Sequence, residues 1–296
     1  MRVRLQSNGN KSFFSSGKRL AIMFAFSLSS LITIRLNAQD QFESALLKRI
    51  DSLLASPDVV YQLYPNIAPG GLMVPSGYGG YGTYIFGFVG GQYPEVYTNH
   101  KINMIVAGGL SIGNPEKFVN FSASLDMGDL DGFRNFSTNF TISRSLGKGS
   151  SLSAGGTHVF AGDGSDAQLP SFHLAFSHAV QTMPSKTPGC SKLTYTIGAG
   201  TGRFWYKSPF DVANGKGKHG TGVFGGVSYE LLKNTNLSVE WSGVNLGASF
   251  GITPFKIPLA FAVGAVNLTT YSADKPALVF IAGYPLSLNR NKLKSQ

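Results

Sequence analysis

The chain has 296 residues, of which 14% are charged and 12% aromatic, with 37 glycines and one cysteine. That aromatic content argues against a disordered chain, and the charge content falls well below the ~25% of soluble proteins. A lone Cys190 excludes an intramolecular disulfide. The formal net charge is +10, but six of the 25 Lys+Arg and none of the 15 acids lie in the first 38 residues. Beyond residue 38 the count is 19 basic against 15 acidic residues, net +4, which removes the main argument for a nucleic-acid partner.

In chain order, residues 1–38 read as an export signal. Arg2, Arg4, Lys11, Lys18 and Arg19 make a basic start, Leu20 to Ile34 is apolar, and Leu36-Asn37-Ala38 offers a small residue for cleavage. The apolar stretch is about 15 residues, short of the ~20 a spanning helix requires, and Arg35 closes it. From Gln39 to about Ala55 the period is helical: Phe42, Leu46, Ile50, Leu53 and Leu54 share a face, and Asp40 with Glu43 has capping-box spacing. Pro57 ends it. Residues 39–80 therefore read as a periplasmic helix followed by a Pro/Gly-rich connector, 65–80, with the helix resting on a membrane surface, plugging a pore or, as preferred here, packed as a short arm against the barrel.

From residue 81 the period changes to two. In Val119-Asn-Phe-Ser-Ala-Ser-Leu-Asp-Met127 every second residue is apolar, which on a strand gives one apolar and one polar face. The pattern predicts twelve strands, near 81–90, 103–112, 118–127, 133–144, 151–160, 171–180, 192–203, 221–231, 236–243, 245–252, 258–267 and 276–284, most of them close to the ~9–11 residues of a tilted membrane strand. Gaps after even-numbered strands are mostly short (Gly113-Asn-Pro-Glu-Lys117, Gly147-Lys-Gly-Ser150, Lys233-Asn-Thr-Asn236). Gaps after odd-numbered strands are longer (91–101, 161–170, 205–220). Periplasmic turns and outer loops divide in this way. The bend near Val244 and the stretch 182–191 break the rule. Tyr84, Phe160, Tyr195, Tyr229, Trp241, Tyr271 and Tyr284 fall near strand ends, where interface girdles sit.

On this architecture, over residues 79–285, the chain resembles the bacterial outer-membrane β-barrel class, porin-like in organisation. Glu240-Trp-Ser-Gly-Val-Asn-Leu246, with Thr253-Pro254 and Pro258-Leu259, looks like the closing hairpins of such barrels. The resemblance implies an all-β, antiparallel transmembrane barrel over 81–285 in a bacterial outer membrane, contact with outer-membrane lipids, and insertion by the barrel-assembly machinery. It implies no activity and no cofactor. One departure is that residues 286–296 follow the last strand, where such barrels often end on an aromatic residue.

Catalytic signals are weak. Ile197-Gly-Ala-Gly-Thr-Gly-Arg203 has its third glycine too early for a phosphate loop, and alternating glycines suit a thin or bending wall. A lipid-facing Ser–His arrangement would use His158 and His178, which alternation puts outward with Phe160 and Phe176, but no serine or carboxamide matches their register. A metal site from these two and His173 fails because His173 faces the other way. No enzyme and no metal site is expected.

The inward face carries more information. Its candidates include Asn120, Asp126, Asn139, His173, Glu230 and Glu240, set among serines and threonines. A tight turn at 233–236 would bring Glu230 and Glu240 within diagonal reach, a weakly cation-selective constriction or a stiffening network. The leading functional expectation is a passive channel for small polar solutes. Its alternative is a non-conducting structural or surface-binding barrel acting through the 205–220 loop, with Trp205, Lys207, Lys216, Lys218 and His219 toward anionic polymers. A lipid-acting enzyme is third.

Overall fold

The computed structural model describes residues 62–94, 102–129, 134–161, 170–255, 257–269 and 275–288. The export signal, the helix read over 39–55 and the tail beyond 288 lie outside the described residues. Twelve strands form a closed antiparallel barrel. They are β1 (Tyr84–Tyr93), β2 (Asn103–Gly113), β3 (Asn120–Asp129), β4 (Arg134–Gly147), β5 (Ser150–Val159) and β6 (Ser171–Ala179), then β7 (Leu193–Gly200), β8 (Val223–Leu232), β9 (Thr235–Trp241), β10 (Leu246–Ile252), β11 (Ala260–Val266) and β12 (Ala277–Ser287). Each strand pairs with its successor, and β12 closes on β1 from Leu278↔Tyr93 to Ser287↔Tyr84. Closure leaves no unpaired strand edge, the condition for strands in hydrocarbon. Among the described residues no helix is long and apolar enough to cross a membrane.

The faces are inverted relative to a soluble fold. Outward Leu125, Leu174 and Ile197 are each more than half exposed, while their inward neighbours Asp126, Ala175 and Thr196 are buried or partly buried. Inward Ser153 and Ser177 are buried, at 1% and 0% exposure. A soluble protein buries its large apolar side chains. This one presents them around its whole circumference and places hydroxyls and amides inside, the arrangement of a transmembrane barrel.

All twelve strands match the period-two reading to within a few residues. The bend at 242–245 is short because Ser242 closes it on itself: its Oγ accepts from the Asn245 amide at 3.0 Å and donates to the Asn245 carbonyl at 3.1 Å. The stretch 180–192 is long because it is a small structure of its own, in which Cys190–Ser191 pair in parallel with Tyr64–Pro65. Two expectations of facing are corrected. Tyr84 alternates with outward Ile85 and points inward beside Ser111 and Gly80, so it is not part of a girdle. His158 does not share the outward register of His178. The β4–β5 register shifts between Thr138 and Phe140, His158 takes φ 54°, and its ring turns toward inward, buried Ser137.

The described part of the Pro/Gly-rich connector that leads into β1 runs inside the barrel. Gln62 and Leu63 anchor at the β4–β5 turn and at Gln181. The chain then climbs along β8–β10, where Asn66 and Asn236 exchange hydrogen bonds at 2.7 and 2.8 Å. It crosses at Leu72–Pro75 and descends along β5 and β6. There the Gly77 amide donates to Ser177 Oγ at 2.8 Å, and Ser153 Oγ donates to the Ser76 carbonyl at 2.8 Å. Tyr78 reaches the carbonyl of Gly149, a residue whose φ of +73° suits the two-residue turn. Glycines dominate this path for steric reasons: a Cβ on Gly77 would meet the backbone of Ser177 and Ser151, and one on Gly79 would meet Ser143.

Candidate functional site in the barrel lumen

The apex of the inserted segment is held by one carboxylate. Glu240 Oε2 accepts from the amides of Leu72 at 2.7 Å and Met73 at 3.0 Å, and Oε1 from Val74 at 3.1 Å. Three successive backbone N–H groups form an anion-binding concavity. Gly71 makes the approach possible, since a Cβ there would collide with the carboxylate. From the opposite side Arg203 donates to the Met73 carbonyl at 2.9 Å and attracts Glu240 electrostatically. One buried acid, one cation and the apex backbone thus form a closed polar unit. A buried charge is tolerable only when paired and hydrogen-bonded in this way.

Above the apex the wall turns inward. Gly202, at φ +58°, lets the chain leave β7 and fold back so that Phe204 packs on Phe224, ring centroids 4.6 Å apart, over Ala175 and Val74. Gly198 and Gly200, the alternating glycines of β7, leave the room these two rings occupy. Their role is packing space, which accounts for the spacing without any phosphate. His173 stands at the edge of this cluster, 6.3 Å from Phe204, with neither ring nitrogen hydrogen-bonded.

The two carboxylates read as diagonal neighbours are apart. Glu230 opposes Asn236, whereas Glu240 opposes Gly226, four residues farther along β8, or about 13 Å at ~3.3 Å per residue. Each is separately engaged. Glu230 accepts from the Lys186 amide at 3.1 Å and the Asn234 amide at 3.3 Å, tying down the stretch 180–192. The error came from taking 233–236 as the turn. Strand pairing continues to Thr235, so the hairpin turns on Lys233-Asn234 alone and Glu230 pairs near its base.

Asn120, Asp126 and Asn139 belong to a hydrogen-bonded strip on β3 and β4. Asn120 is buried and donates to Ser111 Oγ at 2.9 Å and to the Ile112 carbonyl at 3.1 Å. Asp126 accepts from Ser124 at 2.9 Å and, closely, from Asn139 Nδ2, while Asn139 Oδ1 accepts from the His158 amide at 3.0 Å.

The lumen is therefore two-sided. On β5–β10 inward Ser153, Ser177, Asn236, Ser238 and Glu240 are buried beneath the inserted segment, while Thr194 and Thr196 keep partial exposure. A cavity of about 240 Å³ remains between segment and wall, bordered by Ser76, Tyr78, Thr194, Thr196, Ser228 and Glu240. On β12 and β1–β4 inward Phe88, Gln92, Ile105, Ser122, Ser124, Asn139 and Ile281 keep partial exposure and Asn103 is exposed, while Ser111, Asn120, Asp126, Ser137 and Ser143 on the same wall are buried. Sequence reasoning missed the inserted segment and this division. The available signal was a Gly/Pro-rich run with many free amides beside a barrel whose inward face carries buried acids.

The outer-loop candidates cluster in a hairpin. Tyr206 bridges His219, the Lys207 amide donates to the Lys218 carbonyl at 3.1 Å, and Lys207 Nζ donates to the Lys216 carbonyl at 2.5 Å. A short helix, α1 (Pro209–Ala213), capped by Ser208, fills the tip. His219 lies 5.2 Å from Trp205 and 5.3 Å from Tyr206, ring to ring, and Lys216 and Lys218 are exposed. His178 lies on the outward register beside Tyr195, bonded to Ser150 at 2.8 Å, while His158 faces the lumen. A lipid-facing pair of histidines is thereby excluded.

No known protein family and no curated protein matches the chain. Among solved structures it is similar to a KdgM porin in complex with disordered oligogalacturonate, at 10% identity and TM-score 0.38, covering 70% of this chain and 99% of that one. It is similar also to outer membrane phospholipase A from Escherichia coli, at 10% identity and TM-score 0.36, covering 80% and 96%. A porin variant of Rh. blastica follows at 11% identity and TM-score 0.30, covering 69% and 99%. Likenesses this low assign neither family nor activity.

Proposed function

We propose that this chain is a non-enzymatic outer-membrane channel that passes small polar solutes through the part of its lumen left clear by residues 62–83. The observation that carries the reading is that inward Phe88, Gln92, Ile105, Ser122, Ser124, Asn139 and Ile281, on the wall away from the segment, keep partial exposure to the lumen, although Ser111, Asn120, Asp126 and Ser137 on the same wall are buried. A barrel serving only as a scaffold has no need to keep part of its inner wall wet. Side chains that are small or uncharged line that part, so hydrogen bonding rather than net charge would set selectivity. The Glu240 unit fixes the width by holding the segment to one side. Recording the purified, folded protein in planar bilayers tests the reading. Reproducible ohmic current steps are expected, and a folded barrel that stays silent overturns it.

The outer hairpin supports a second reading. Exposed Lys216 and Lys218 flank the Trp205–His219–Tyr206 ring cluster, a surface suited to an anionic polymer. Conduction and surface binding are compatible, and the hairpin reading is tested separately below.

A further inference from the structure

The wall of the lumen away from the inserted segment is not uniformly polar. Inward positions of β1, β2, β11 and β12 carry no charged residue, and several are large and apolar. Gly90 stands between Ile105 and Ile281: a Cβ there would lie 3.6 Å from Ile105 Cγ2 and 3.5 Å from Ile281 Cγ1. The register sets Phe88 opposite Ala107 and Gly283, with Val279 next on the same face of β12. The Phe86 ring occupies the space beside Gly109 that a Cβ there would take. These residues form a continuous apolar strip along the wall, and Phe86, Phe88, Ile105, Val279 and Ile281 all remain partly exposed to the lumen.

Polar groups border the strip. At its outer end Gln92 and Asn103 oppose one another. Along its side β3 sets Ser124 opposite Gly109 and Ser122 opposite Ser111, and Ser124 leads to Asn139 at 3.1 Å. On the exposed wall the nearest acid, Asp126, is buried and already bonded to Ser124 and Asn139. A solute in this space meets an apolar strip on one flank and uncharged donors and acceptors on the other.

Resting on the channel reading above, we infer that the lumen selects small neutral amphipathic molecules, with an aromatic or branched apolar face against Phe88, Ile105 and Ile281 and hydroxyl or amide groups against Ser122, Ser124 and Asn139. An apolar face displaces poorly held water from such a wall, while a charged group finds no counter-charge to offset its desolvation. A fully polar sugar uses only one flank. An aryl derivative of the same sugar uses both.

The test compares phenyl β-D-glucoside with glucose by equilibrium binding to the full mature chain in lipid nanodiscs, with empty nanodiscs as the reference. Half-saturation at least tenfold lower for phenyl glucoside is expected. The combined variant Phe88→Ser, Ile105→Ser, Ile281→Ser should abolish that difference, and Ile281→Val should retain it. If the triple variant does not fold, Phe88→Ser alone is expected to reduce the difference at least threefold. Equal binding of the two sugars, or a difference that survives loss of the apolar strip, overturns the inference. Removing residues 39–61 should leave the difference unchanged. A difference that appears only after their removal would assign the strip to that segment and overturn it as well. Because binding is read without current, a barrel that conducts without discriminating defeats this inference alone, and one that discriminates without conducting defeats the channel reading alone.

Discussion

The Leu72 amide and the Glu240 carboxylate, 168 positions apart in sequence, meet inside the barrel at 2.7 Å. With the Met73 and Val74 amides on the same carboxylate, this contact decides how much of the lumen is open. Glu240→Gln removes the charge and turns one acceptor oxygen into a donor aimed at other donors. Each hydrogen bond to a charged group contributes about 1.5–3 kcal/mol, so the apex should detach while the barrel, held by its strand ladders, stays closed. The expected outcome is a larger single-channel conductance and new protease cleavage between residues 68 and 78, with unchanged strand content by circular dichroism. Unchanged conductance together with continued protection would remove Glu240 from this role.

Gly71→Val tests the same unit from the segment's side. A Cβ at position 71 collides with the Glu240 carboxylate, which can yield only by giving up its bonds to the apex amides. The variant should show the conductance and cleavage of Glu240→Gln, and combining the two should add little, because both release one apex. Strictly additive effects would mean that the two residues act separately.

The outward face makes a prediction about the lipid environment. Leu125 on β3 is 52% exposed, and its neighbour Ser124 faces the lumen. Leu125→Arg places a charge in hydrocarbon, costing about 2–4 kcal/mol near the bilayer midplane. Ser124→Ala loses hydrogen bonds to Asp126 and Asn139, about 1 kcal/mol in net terms. Reversible denaturant unfolding from lipid vesicles should rank the two in that order. The opposite order would place Leu125 inside.

For the outer hairpin, Lys216→Glu with Lys218→Glu should leave unfolding free energy within about 0.5 kcal/mol, since both side chains are exposed. Retention on an immobilised anionic polysaccharide should fall at least tenfold. Equal retention of the parent and charge-reversed proteins would end the surface-binding reading.

The strands were legible because a period of two is a local property. Val119 to Met127 displays it without reference to any other segment, and closure follows once every strand has one apolar face. The inserted segment was not legible for the complementary reason. Residues 65–80 have no period, and their partners Asn236, Ser177 and Glu240 lie about 100 to 170 positions away. Facing failed where the period was interrupted: the β4–β5 register shift turned His158 inward, and alternation carried across it gave the wrong side. At Tyr84 the aromatic type suggested a girdle while the alternation with Ile85 already pointed inward, and the alternation was the better guide. Glu230 and Glu240 depended on a two-residue error in the turn between β8 and β9, which a sequence pattern does not resolve.

Cys190 offers a probe of the anchored end of the inserted segment. It pairs with Tyr64 outside the barrel strands, and burial, reinforced by the negative charge of Glu230, pushes its thiol up to about 11. An ordinary thiol in the unfolded chain titrates near ~8.5. The folded state therefore keeps its proton at pH values where the unfolded state has lost it. The sign follows: this residue's contribution to stability is fully present below about pH 8.5 and is lost as the pH rises toward 11. Below pH 8 the thiolate fraction of the folded chain should be about three hundredfold lower than that of the unfolded chain, and alkylation requires the thiolate. Iodoacetamide labelling at pH 7.5 should accordingly be slow in the folded protein and fast in denaturant, with the folded rate rising about tenfold per pH unit up to pH 10. Deleting residues 62–66 removes Tyr64 and frees this edge, so the folded rate should rise toward the denatured one. Fast labelling of the intact folded protein at pH 7.5 would mean that the Tyr64–Cys190 pairing does not form, and that the segment enters the barrel by another route.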